Sequence, residues 1–171
     1  AARPDAATDA AQAAVGPETI GKILFTSGST SNPKGVITTH AMMCVNQEQL
    51  RTALPMLAQR PPKIVDWLPW NHVFGGSHNF NMMLANGGSL YIDEGKPTKD
   101  LFGKTLRNLA DHVGTLAFNV PVGWSLLAKA LEADTSLRRR FFADLDLIFY
   151  AGASLPVEVW TALERLALSE K

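Results

Sequence analysis

Lys63-Ile-Val-Asp-Trp-Leu68 is a short apolar run halted by Pro69, and it reads as a strand because proline cannot donate to a sheet ladder. Forward from it, a helix over 74–85 ends near Gly87-Gly88, where helices often stop. A strand over 89–92, a helix over 99–112, a strand over 115–118 and a helix over 122–133 come next. The series closes with a strand over 145–150 and a helix to about Leu168. Backward from Lys63, a helix covers 40–57, and strands over 22–26 and 36–39 flank a polar loop. Strands alternating with helices of this length predict parallel β–α–β units, so the class is α/β, a layered and mostly parallel sheet with flanking helices. Residues 1–19 are Ala-rich and interrupted by Arg3, Pro4, Asp5, Asp9 and Gln12. They read as a linker or surface helix, and 20–171 as the domain.

Composition bounds the function. The 171 residues carry 16 basic and 16 acidic side chains, a zero balance that gives no electrostatic footprint for nucleic acid or an anionic membrane. Arg138-Arg139-Arg140 reads as a solvated helix end. Cys44 is the sole cysteine, so no internal disulfide can form. No run approaches the roughly 18 apolar residues of a membrane helix, and the start lacks the apolar block of a signal peptide. A cytoplasmic location is the default expectation.

Ligands in α/β sheets gather at the carboxyl ends of strands. Three polar segments lie there, after Thr26, after Leu68 and after Tyr150. In Thr26-Ser-Gly-Ser-Thr-Ser-Asn-Pro-Lys-Gly35 small residues allow backbone N–H groups close to an anion, hydroxyls donate, and one lysine neutralises charge. A polyphosphate suits that set, although an ordinary polar turn has similar composition. The Walker A order fails, because Lys34-Gly35 runs into Val36-Ile37 with no hydroxyl after the lysine. His72 and His78, six positions apart, with Cys44 match no standard zinc spacing. Neither Ser27 nor Ser154 has the Gly-x-Ser-x-Gly frame of a hydrolase nucleophile. Trp67 reads as core, whereas Trp70, Asn71 and Phe74 lie beyond the strand end and suit a pocket wall as well as a core. His40 and His112 read as surface residues at helix ends.

Leu24-Phe-Thr-Ser-Gly-Ser-Thr-Ser-Asn-Pro-Lys-Gly-Val36 resembles the signature loop of the adenylate-forming superfamily of acyl- and aryl-CoA synthetases, luciferases and peptide-synthetase adenylation domains. Ser31 departs from that pattern, which has glycine there; if the position needs φ > 0, serine costs about 1 kcal/mol or more. Trp67-Leu-Pro-Trp-Asn-His72-Val-Phe-Gly-Gly76 and Tyr150-Ala-Gly-Ala-Ser-Leu-Pro156 resemble two further family segments in order and spacing. Asp66 to Phe80, with Gly87-Gly-Ser-Leu-Tyr-Ile-Asp93, is most similar to feruloyl-CoA synthetases. The resemblance implies a carboxylate–CoA ligase that uses ATP, Mg²⁺ and coenzyme A on an aromatic acid such as a hydroxycinnamate. Alternatives are an aliphatic acid or a non-catalytic nucleotide-binding fragment. It implies that Thr26, Ser27, Gly28, Ser29, Thr30, Lys34 and Gly35 hold the ATP phosphates. Lys34 and His72 would be the catalytic residues. Trp70, Asn71, His72, Phe74, Gly75, Tyr150, Gly152, Ala153 and Ser154 would form the acid and adenine pocket, with Mg²⁺ held mainly through ATP. The family's Tyr-Gly-x-Thr-Glu strand, ribose-binding aspartate and carboxyl-terminal lysine have no counterpart, so an internal fragment of the large domain is expected.

Overall fold

The computed structural model describes residues 5–26 and 33–171. It divides into two compact units, with the boundary between Ala53 and Leu54.

In the first unit α1 (Ala6–Ala13) buries no side chain, and its N-cap Asp5 accepts from the Thr8 backbone N–H at 2.8 Å. β1 (Ile20–Thr26) and β2 (Lys34–Thr39) pair antiparallel, with Thr26 opposite Lys34 and a bulge between Ile20 and Lys22. This pair is a hairpin, so the parallel pattern predicted from alternation begins only in the second unit. α2 (His40–Ala53) stops four residues short of the predicted helix. Pro55 disfavours helical backbone at the residue before it, and Leu54 sits at φ −123°, ψ 79° before a 3₁₀ turn over Pro55–Ala58.

The second unit is built on two pairs of parallel strands. β3 (Lys63–Asp66) pairs with β4 (Ser89–Ile92), and β5 (Leu116–Asn119) pairs with β6 (Leu147–Tyr150). Thr115 joins the two pairs. Its N–H donates to the Lys63 carbonyl at 2.8 Å, and its hydroxyl oxygen accepts from the Lys63 N–H at 2.9 Å. The registers align Asp66 with Ile92 and Asn119 with Tyr150, so the carboxyl ends of paired strands lie level.

Helices α4 (Phe102–Asp111), α5 (Pro121–Ala133), α6 (Thr135–Phe142) and α7 (Val157–Leu168) flank these strands. Pro121 opens α5 at a position whose N–H would be unsatisfied anyway. The core gathers Trp124, Leu127, Leu131, Phe141, Leu163 and Leu166, all buried. Each such side chain contributes about 2 kcal/mol on leaving water. The Trp124 indole N–H is satisfied by the Phe149 carbonyl at 3.1 Å, which ties α5 to β6. Among the described residues no helix is long and apolar enough to cross a membrane.

Candidate functional site

β3 ends in a carboxylate that the surrounding apolar run leaves almost no water. Asp66 is 4% exposed. Its Oδ1 accepts from the Leu68 N–H at 3.0 Å and its Oδ2 from the Asn79 amide at 2.9 Å. Burial pushes its carboxyl up to about 6 despite those bonds, and nearby Asp93 adds a smaller push. Asp93, also buried, accepts from the Gly95 N–H, the Thr105 hydroxyl and the Asn108 amide. Two buried acids therefore brace the ends of β3 and β4. Beside them Asn119, at the end of β5, accepts from the Trp67 indole N–H at 3.2 Å.

The chain then turns sharply. Gly75 and Gly76 lie under the carbonyls of the Leu68–Trp70 turn: a Cβ on Gly76 would sit 2.1 Å from the Trp70 oxygen, and one on Gly75 2.5 Å from that of Pro69. That fit leads into a π-helical segment over Val73–Phe80, followed by α3 (Asn81–Ala85). The sequence predicts one helix over 74–85. The segment instead widens where the two glycines meet the turn, and such widening often accompanies functional sites.

His72 caps this segment. Its Nδ1 accepts from the Phe74 N–H at 3.2 Å, which requires a lone pair on Nδ1. The neutral ring therefore carries its proton on Nε2, and the side chain is exposed. His78 has the opposite arrangement. The Asn79 amide nitrogen is committed to the Asp66 carboxylate, so Asn79 Oδ1 faces His78 Nδ1 at 2.8 Å. That oxygen can only accept, so Nδ1 carries the hydrogen and Nε2 the lone pair. Burial holds the His78 imidazolium below its ordinary range, against a smaller opposing effect of the Asn79 bond.

Aromatic rings surround His78. It stacks on Phe149 at 5.5 Å and 24°, and meets Phe118 and Phe74 edge-on at 5.2 and 5.8 Å. Phe74 and Phe118 are buried, while Phe149 is 36% exposed, so the cluster opens toward solvent. Trp70 stands half exposed with its ring 4.9 Å from that of Phe80, and Asn71 is exposed. β6 ends at Tyr150, and the chain then turns at Gly152, whose φ of +94° suits glycine. Ala153 and Ser154 are exposed there.

Of the predicted pocket residues, the structure brings Phe74 and Gly75 together at the ends of β3, β5 and β6. Trp70, Asn71 and His72 lie on the adjoining turn, Tyr150 at the end of β6, and Gly152, Ala153 and Ser154 on the turn that follows it. Sequence reasoning passed over Asp66, Asn79, Asn119, Phe118 and Phe149. The signal for the first was a carboxylate inside an apolar strand, which demands buried partners.

The first unit presents its own candidate. Thr26 and Lys34 face each other at the end of the hairpin where the chain connects β1 to β2, with Gly35 opposite Phe25; Lys34 and Gly35 are exposed. Ser27, Gly28, Ser29 and Thr30 lie outside the described residues. Among the described residues no group of three or more His, Cys, Asp or Glu side chains is placed to hold a metal ion.

A sequence profile of the family described as AMP-binding enzyme matches residues 1–169. An acetyl-coenzyme A synthetase of Burkholderia mallei (strain SAVP1) is 31% identical over 149 residues, covering 81% of this chain and 21% of that protein. The chain thus spans about a fifth of the length of the curated relatives it matches. Among solved structures, a malonyl-CoA ligase ternary product complex with methylmalonyl-CoA and AMP bound aligns with a TM-score of 0.70. It shows 25% identity and covers 85% of this chain and 30% of that one. An anthranilate CoA ligase in complex with anthranoyl-AMP also aligns at 0.70, with 22% identity, over 88% of this chain and 28% of its own, a likeness of fold.

Proposed function

The chain belongs to the AMP-binding enzyme family, and from that premise we propose that the protein carrying it is an ATP-dependent acid–thiol ligase. A carboxylate oxygen attacks the α-phosphorus of ATP, the bond to pyrophosphate breaks, and an acyl-adenylate forms. The thiolate of coenzyme A then attacks the acyl carbonyl and AMP leaves. The observation that carries this reading is the profile match across 1–169, with Thr26-Ser-Gly-Ser-Thr-Ser-Asn-Pro-Lys-Gly35 inside it.

The residues have roles that follow from their chemistry. Thr26, Ser27, Ser29 and Thr30 donate hydroxyl hydrogen bonds to the phosphates, Gly28 and Gly35 allow backbone approach, and Lys34 supplies a point charge. His72, with its Nε2–H outward, donates to the carboxylate and holds one oxygen for in-line attack. Trp70, Asn71, Phe74 and Gly75 wall the acid site, and Tyr150, Gly152, Ala153 and Ser154 form its floor beside the adenine. Mg²⁺ finds no side-chain site among the described residues; it would arrive on the nucleotide's phosphates, where it neutralises charge.

We assign an aromatic acid such as a hydroxycinnamate as substrate. The resemblance of the segment around Asp66 to Phe80 supports this, as does the clustering of the Phe74, Phe118 and Phe149 rings at the strand ends. A second reading, an aliphatic acid, is favoured by curated relatives described as acetyl-coenzyme A synthetases. The test is AMP and pyrophosphate release by the whole protein with ATP, coenzyme A and either para-hydroxycinnamate, benzoate or acetate. Fastest release with the hydroxycinnamate supports the aromatic assignment, and fastest release with acetate transfers it to the second reading. Nucleotide binding without acid-dependent AMP release would leave only a binding module.

A further inference from the structure

Two histidines, one capping the π-helical segment and one within it, have opposite polarity: His72 offers a donor at Nε2, and His78 offers an acceptor at Nε2. The His78 polarity is imposed from behind. Asp66 accepts from Asn79, Asn79 accepts from His78, and Asp66 and Asn79 are buried so that no water relaxes the order. Asn79 has no exposure at all, which makes it a positioning residue for the imidazole. His78 Nε2 itself bonds to no described residue, and it is not among the buried polar atoms that lack a partner. It is therefore an open acceptor set in the wall of an aromatic cluster, beside Phe149 where that cluster meets solvent.

Resting on the acid–thiol ligase reading, we infer that His78 is a specificity-determining residue that accepts a hydrogen bond at Nε2 from a hydroxyl on the acid substrate. The class of acid is then one with an apolar, aromatic body and a hydroxyl remote from its carboxylate. The body packs against Phe149 and the edges of Phe74 and Phe118, the carboxylate meets the His72 donor, and the hydroxyl meets the His78 acceptor. An acid that lacks the hydroxyl leaves the imidazole lone pair dry and unpaired, a penalty that selects against it.

The experiment compares para-hydroxycinnamate with cinnamate, as kcat/KM for pyrophosphate release by the whole protein and two variants. His78→Asn keeps a donor near the position of Nδ1, and so the bond to Asn79, but places nothing at Nε2. His78→Gln places an amide oxygen near the position of Nε2. The native protein should prefer the hydroxylated acid by at least about tenfold. His78→Asn should remove that preference by lowering kcat/KM for para-hydroxycinnamate while raising it for cinnamate, which no longer leaves an acceptor unpaired, so a rise with cinnamate also shows that the variant folds. His78→Gln should restore part of the preference. An equal fall for both acids in His78→Asn, or a preference that survives it, overturns the assignment. Turnover of acetate alone by the native protein overturns it too. That outcome is distinct, because it shows that the aromatic substrate, and not His78, was misassigned.

Discussion

Replacing the carboxylate at the end of β3 by an amide (Asp66→Asn) should stabilise the protein at neutral pH, and the gain should grow with pH. The folded state holds the Asp66 proton up to about 6, against an ordinary value of 3.8, because burial disfavours the charge. Its contribution to stability is therefore fully present below about pH 4 and is lost as pH rises through about 6. The gap of about two pH units, at about 1.4 kcal/mol each, comes to about 3 kcal/mol at neutral pH. Hydrogen bonding need not change much. The introduced amide oxygen can accept from the Leu68 N–H, and its nitrogen can donate to Asn79 once Asn79 turns its own amide over and His78 moves its proton from Nδ1 to Nε2 to accept from it. Urea unfolding of both proteins at about pH 4.5 and about pH 7.5 isolates the effect, since other titrating groups cancel in the difference. The stability gap in favour of Asp66→Asn should widen by about 2 kcal/mol between the two conditions. A gap constant to within about 0.5 kcal/mol would refute the claim that Asp66 is ionised at a cost.

Gly76→Ala places a Cβ 2.1 Å from the Trp70 oxygen, so backbone must move. A loss of about 2–3 kcal/mol in denaturant unfolding is expected, and a loss below about 0.5 kcal/mol would show that the turn is slack. Lys34→Ala should slow acyl-adenylate formation by about a hundredfold or more, while thioester formation from supplied acyl-adenylate changes little. Equal loss in single-turnover assays of both half-reactions contradicts a role at the phosphates.

Much of this architecture was legible in the order of apolar runs. Pro69 and Pro121 mark the turns after β3 and β5, and β6 ends at Tyr150 as expected. Three features were not legible, each for a physical reason. The widened helix over Val73–Phe80 depends on Gly75 and Gly76 meeting carbonyls that only the folded turn brings near. Helix α6 passed as a solvated end carrying Arg138, Arg139 and Arg140. Its Asp134 cap on the Leu137 N–H and its buried Leu137 and Phe141 were present in the sequence, but brief. Arg138 is paired with Glu170, and Arg140 donates to the Asp111 carbonyl, so the basic cluster is largely engaged within the fold. The Asp66–Asn79–His78 chain links residues 13 positions apart through an amide orientation, which no local pattern encodes.

The central claim is adenylation of a carboxylate, and isotope exchange between pyrophosphate and ATP tests it most directly. The whole protein, given ATP, Mg²⁺ and para-hydroxycinnamate without coenzyme A, should move label from pyrophosphate into ATP only when the acid is present. Exchange that ignores every acid offered, or nucleotide turnover that yields ADP and phosphate in place of AMP and pyrophosphate, would contradict it.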